Sequence, residues 1–106
     1  MKVEFDTNEY LVDIKKSGSY YHTFINKDNL AAGILKLKPD EVDTQTPHES
    51  DEIYYIVRGD GFLRISEKDY PVSVAKAYFV GKNIEHKFHG NKKELVVLYF
   101  FGGPDS

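Results

Sequence analysis

The densest polar stretch of the chain, Thr46-Pro47-His48-Glu49-Ser50-Asp51-Glu52, stands directly before an apolar run, Ile53-Tyr54-Tyr55-Ile56-Val57, that closes on Gly59-Asp60-Gly61. Chemistry placed there is presented at the mouth of a strand. His48 and Glu52 have the same parity, so an extended backbone points both to the side of Tyr54 and Ile56. A carboxylate on such an inward side is seldom buried unless it is paired or coordinating. Full extension would set the two Cα atoms roughly 13 Å apart, too far for both side chains to close on one ion. The backbone must therefore bend near Ser50-Asp51, residues of a kind that tolerates turns and bulges. A second histidine, His86, follows the turn-like Gly81-Lys82-Asn83 and shares a face with Phe88. Two imidazoles and one carboxylate converging on one point would form a facial-triad metal site with open positions. The chain has no cysteine, so any ion must be held by nitrogen and oxygen, and disulfides and thiolate chemistry are excluded.

The elements that must position these residues read as strands. Aromatic residues make up 14% of the chain and sit in short runs with Val and Ile, which suits strands better than helices. Candidate strands fall at residues 10–14, 19–25, 31–38, 52–58, 62–66, 71–74, 77–80, 85–89 and 95–101, and turn-forming residues punctuate them: Ser17-Gly18, Pro39-Asp40, Gly59-Asp60-Gly61, residues 67–69, residues 81–83 and Gly90-Asn91. This hairpin rhythm predicts an all-β barrel or sandwich of antiparallel strands. Residues 53–57 and 95–101 are apolar on both faces, so both faces must be covered. The cover is expected from residues 1–30 as N-terminal strands or from a second subunit, which makes a homodimer an expected partner.

A chain of 106 residues is expected to form a single domain over residues 1–106, with no room for a second core. With 41% hydrophobic and 29% charged residues it is globular rather than disordered. Fourteen basic against seventeen acidic side chains, a net charge of −3 and no basic block argue against nucleic acid as a partner. The longest apolar run, residues 95–101, falls far short of the roughly 20 residues of a membrane span, and the polar start lacks a signal-peptide core, so the expectation is a soluble, cytoplasmic protein with no membrane partner.

At this point the sequence resembles the cupin superfamily. That family's first motif runs His-x-His, three or four residues, Glu, six residues, Gly; here His48, Glu52 and Gly59 reproduce its latter part at full spacing. Its second motif runs Pro-x-Gly, two residues, His; here His86 is kept, with Gly81 in place of the Pro and Asn83 in place of the Gly. Thr46 stands where the family has its first motif histidine, so the usual four-ligand set is reduced to three. Motifs and strand rhythm together cover residues 31–101. The resemblance implies a small double-stranded β-helix, or jelly-roll barrel, with one divalent metal ion near an open end. The carried-over ligands are His48, Glu52 and His86; the ligands leave the ion open among Fe, Mn, Zn, Ni and Cu.

Three protein ligands leave two or three positions on the ion for water, a chelating small-molecule substrate, or dioxygen where the metal is redox-active. Loss of a fourth ligand widens that opening. The leading expectation is a metal-dependent oxidoreductase, dioxygenase-like, acting on a small organic molecule; a sugar or keto-acid isomerase or epimerase, and a non-catalytic ligand-binding module, stand as alternatives. Thr46 is expected to hydrogen-bond a metal-bound water or the substrate, and Tyr54 to donate to a substrate or bound oxygen species. A small, mostly apolar pocket is expected behind the ion, lined by Tyr54, Ile56 and Phe88 by parity. Glu49, Asp51, Glu85 and Arg64 are expected at the surface or in supporting positions, and His22 and His89 outside the site.

Overall fold

Aromatic and β-branched residues at alternating positions draw much of the chain into strands, and a computed structural model describes residues 2–104. Chain order is α1 (Thr7–Ser17), β1 (Tyr21–Lys27), β2 (Leu30–Leu37), β3 (Glu52–Arg58), β4 (Phe62–Ile65), β5 (Lys68–Pro71), β6 (Ala77–Val80), β7 (His86–His89) and β8 (Leu95–Phe101). All strand pairs are antiparallel. They form two sheets: five strands in the order β1-β2-β8-β3-β6, and three in the order β5-β4-β7. The β-rich sandwich follows the expectation from the strand rhythm, and the hydrogen bonding divides it into two sheets rather than one continuous barrel wall.

The principal core lies between these sheets. Leu35, Tyr54, Ile56, Val97 and Phe101 of the larger sheet meet Leu63 and Phe88 of the smaller one, all buried. Strand β3 alternates as its sequence demands: Glu52, Tyr54 and Ile56 face inward and are buried, while Ile53, Tyr55 and Val57 face out. Gly33 makes one close approach possible. A Cβ there would stand 2.2 Å from the Tyr99 ring and hydroxyl, so glycine lets that hydroxyl reach Thr23 Oγ1 at 2.7 Å and fasten β8 to β1 across β2.

Two expectations are corrected. Residues 10–14 are helix, not strand. Asp6 caps α1 by accepting from the backbone N–H groups of Asn8 and Glu9, Gly18 ends it in the left-handed region, and Lys15 and Lys16 sit in the last turn. The helix buries Leu11 and Ile14, one turn apart, against Ile34 and Val96. Of the N-terminal segment expected to cover the sheet with strands, helix α1 lies on the outer side of the larger sheet, while β1 joins that sheet as its edge strand. The second correction is to the strand placed at 71–74: β5 begins at Lys68, and the two residues of the hairpin turn are Ser66 and Glu67, with Ser66 at φ 56. Arg64 stands directly opposite Asp69 and donates to both its carboxylate oxygens, which sets this register; the pair is at the surface, as expected for Arg64.

Helix α1 leaves the β3–β6 side of the outer face uncovered. Ile53 stands opposite both Phe79 and Phe100, so three large apolar side chains form a row across β6, β3 and β8, with Phe79 63% exposed. Among the described residues no helix is long and apolar enough to cross a membrane.

Candidate metal centre

Glu52 opens β3 in the larger sheet and His86 opens β7 in the smaller one, so the sandwich itself brings them face to face. The bend expected near Ser50-Asp51 lies at Glu49-Ser50, and it turns His48 back toward them. The loop is stitched to the 81–84 turn: Asn83 N–H donates to the His48 carbonyl at 2.7 Å, and Lys82 N–H donates to Asp51 Oδ1 at 3.0 Å. Asn83 adopts φ 62, the left-handed conformation that glycine supplies in the second motif, and asparagine tolerates it. One ligand atom from each of His48, Glu52 and His86 lies within 4.8 Å of the others. Adjacent donors on an ion with bonds of about 2.1 Å stand about 3.0 Å apart, so the trio is gathered at one point and must tighten to hold a cation.

Three polar atoms of Glu52 and His86 lack hydrogen-bond partners. Among the described residues, the buried side-chain nitrogen and oxygen atoms without a hydrogen bond are Oε1 and Oε2 of Glu52 and Nε2 of His86. His86 Nε2 lies 3.2 Å from Glu52 Oε1, but without the alignment of a hydrogen bond. His86 Nδ1–H donates to the Ile84 carbonyl at 2.8 Å, which in the neutral ring leaves the Nε2 lone pair aimed at Glu52. Burial works to lower the His86 pKa, yet the Glu52 carboxylate and the Ile84 carbonyl outweigh it, and the net direction is upward. A buried carboxyl and a ring nitrogen that are otherwise orphaned fit a divalent cation well.

The cavity beside the trio measures about 400 Å³. Tyr20 and Tyr21 wall it on the β1 side, Thr44, Gln45 and Thr46 on the loop side, and Leu35, Tyr99 and Phe101 from the sheet. His48 and Glu52 face into it. The expectation that Tyr54, Ile56 and Phe88 line this pocket is corrected: all three are sealed in the core between the sheets, and none borders the cavity. Tyr54 packs its ring edge-on to Phe88 and donates its hydroxyl to Gln45 Oε1 at 2.8 Å. Burial first, and then the neighbouring Glu52 and Asp43, push its pKa well above the ordinary range, so the hydroxyl stays protonated. Thr46 is exposed and borders the cavity, outside the cluster of three.

Two residues of the site escaped the sequence reading. Asp43 is buried and accepts from Tyr20 Oη at 2.9 Å, from the Phe88 backbone N–H at 2.9 Å, and from the Gln45 backbone and side-chain amides. The Tyr20 hydroxyl is pushed up to about 12 by burial and by this carboxylate. Gln45 in turn directs its oxygen at Tyr54 and at His48 Nε2, 3.4 Å away. The alternation Asp43-x-Gln45 inside a stretch lacking large apolar residues was the available signal. His22 stacks on Tyr10, and His89 pairs with Asp69 at the surface, both away from the site as expected.

Comparison with known proteins agrees with this architecture. The Cupin domain family profile matches residues 33–102. The protein SCO3923 of Streptomyces coelicolor, uncharacterized, is 30% identical over 86 residues, spanning 81% of this chain and 82% of its own. This chain belongs to the cupin family. Among solved structures, KdgF from Halomonas sp. superposes with a TM-score of 0.70 at 21% identity, covering 81% of this chain and 80% of that one. HppE, solved with FeII and substrate, superposes with a TM-score of 0.66 at 12% identity, covering 76% of this chain and 52% of that one.

Two outcomes follow from the orphaned atoms. In metal-free protein, replacing both members of the buried pair, Glu52→Leu with His86→Leu, should leave the unfolding free energy unchanged or raise it by about 1–4 kcal/mol, because it removes two desolvated polar groups at once; denaturant titration checks this, and a loss of stability would mean that the Glu52–His86 contact is structural. Zinc uptake should be tighter at pH 8 than at pH 6, since the raised His86 pKa keeps a competing proton on the ring to higher pH than an ordinary histidine does. Calorimetric affinities equal at the two values would count against His86 as a ligand.

Proposed function

We propose that His48, Glu52 and His86 hold one divalent cation and that this chain is a metal-dependent enzyme acting on a small organic molecule, as an oxidoreductase of dioxygenase type. The observation that carries the proposal is the set of buried Glu52 and His86 atoms without hydrogen-bond partners beside a cavity of substrate size. A redox-active ion on three protein donors supplies oxygen activation beside a chelated substrate, and a redox-inert one supplies Lewis-acid polarisation. The FeII complex of HppE, which shares the fold, lends support to iron.

The chain's own residues have separable tasks. Glu52 and His86 offer donor atoms from the dry interior, and His48 offers its own from the cavity side. Tyr54 keeps its proton and spends it on Gln45, so we assign it to shaping the site rather than to direct contact with substrate. Thr46, on the cavity wall, is positioned to hydrogen-bond a substrate hydroxyl or carbonyl. The aromatic rings of Tyr20, Tyr21, Tyr99 and Phe101 fit a planar or partly apolar substrate. An isomerase would need a separate base, and among the described residues the cavity lining holds no lysine and no carboxylate besides Glu52.

Protein purified without added metal salts should carry close to one ion per chain by elemental analysis, and His86→Ala should lose it. Iron-loaded protein given candidate aromatic and hydroxylated substrates should consume dioxygen. Turnover that persists without oxygen would move the assignment to an isomerase, and a chain free of metal and indifferent to chelator would make it a binding module.

The expected homodimer belongs to the same proposal. A second copy would cover the row of Phe79, Ile53 and Phe100, which lies on the side of the sheet away from the cavity and exceeds the scattered apolar residues of an ordinary monomer surface. Light scattering should give twice the chain mass for the natural protein and the single chain mass for Phe79→Glu; a monomer in both cases would overturn it.

A further inference from the structure

The position that holds the first motif histidine elsewhere in the family is Thr46 here, and its side chain is exposed on the cavity wall. The residue before it is half-buried and turned inward. Gln45 Nε2–H donates to Asp43 Oδ2 at 2.7 Å, which settles which end of the amide faces the site: the oxygen. That oxygen accepts from Tyr54 Oη at 2.8 Å and lies 3.4 Å from His48 Nε2. An amide oxygen has two lone pairs, and Tyr54 uses one. We propose that Gln45 Oε1 is a fourth protein donor to the cation, taking the place left open at Thr46 by reaching in from one residue earlier in the loop.

Spacing supports this assignment. Neighbouring donors on an octahedral ion with bonds of about 2.1 Å stand about 3.0 Å apart. The Glu52 Oε1–His86 Nε2 separation is 3.2 Å and the Gln45 Oε1–His48 Nε2 separation is 3.4 Å, so each pair is spaced close to such an edge. The support behind the amide is also what a ligand needs. The Asp43 carboxylate draws on the Gln45 N–H group and so makes the amide oxygen more electron-rich, and Asp43 is itself fixed by Tyr20 and by the Phe88 backbone. A neutral oxygen donor leaves the charge of the cluster at that of Glu52 alone. The site then favours a hard or borderline divalent ion over a soft monovalent one.

The inference rests on the three-donor site proposed above, and Co²⁺ titration separates the two. Natural protein, Gln45→Leu, Gln45→Glu and Tyr54→Phe are each titrated with Co²⁺, followed by calorimetry and by the visible absorption bands of the ion, which respond to donor number and type. Gln45→Leu should bind Co²⁺ about 10- to 100-fold more weakly and with shifted bands. Gln45→Glu, which keeps an oxygen in place and serves if the leucine variant does not fold, should bind at least as tightly as the natural chain, also with shifted bands. Tyr54→Phe, which removes the hydroxyl bonded to Gln45 Oε1, should keep Co²⁺ bound with band shifts smaller than those of Gln45→Leu. Unaltered bands in both Gln45 variants would overturn the proposal and leave Gln45 as a positioning residue for His48. Failure of the natural chain to bind Co²⁺ at all would instead overturn the three-donor site, and this inference with it.

Discussion

A carboxyl group at the first residue of an inward-facing strand, buried 3.2 Å from an imidazole and without a hydrogen bond to either oxygen, is the constraint around which this molecule is arranged. Glu52 is 2% exposed and lies in the same row as Tyr54 and Ile56, so it occupies a place where the core would ordinarily have another apolar side chain. Its neighbour His86 comes from the other sheet. The backbone satisfies only His86 Nδ1, through the Ile84 carbonyl, and leaves His86 Nε2 and both Glu52 oxygens without a hydrogen bond. Desolvation without compensation is tolerated only where something else is gained. Under the proposed function that gain is a bound cation.

A single loop completes the arrangement. Residues 38–51 have almost no regular structure, yet Asp43 pins them to β7 through the Phe88 amide and to the start of β1 through Tyr20. Asn83 and Lys82 pin the far end through the His48 carbonyl and Asp51. The loop therefore carries His48, Gln45 and Thr46 on a backbone fixed at both ends, and this allows an irregular segment to place side chains as reproducibly as a strand would.

How much of this could be read from the chain depended on whether the signal was local. His48, Glu52 and Gly59 carry a fixed spacing, and parity alone placed Glu52 inward with Tyr54; the coordinates place all three donors together. Asn83 in a glycine position was readable because few other residues accept a left-handed backbone. Helix α1 was missed although Asp6, Glu9 and Gly18 are ordinary cap signals, because Tyr10, Leu11, Val12 and Ile14 also suit a strand and only their packing on Ile34 and Val96 decides between the two. The cavity wall was missed for a different reason. Tyr20 and Tyr21 come from a segment more than twenty residues upstream of the motif, and no local pattern announces that β1 folds over the site. Gln45 was invisible because its direction is set by Asp43 and Tyr54, contacts that exist only once the loop has closed.

The cavity is bounded on one side by residues at the beginning of β1, an outermost strand with a single hydrogen-bonded neighbour and an irregular register near its middle. Strands in that situation fray at lower free energy than interior ones. Glu52 and His86, by contrast, are anchored in the two sheets that enclose the core. A ligand of the proposed site would thus enter and leave by loosening of the Tyr20–Tyr21 segment while Glu52 and His86 keep their places. Its residence time and its coordination would then be governed by different parts of the chain, each open to adjustment by substitutions that leave the other undisturbed.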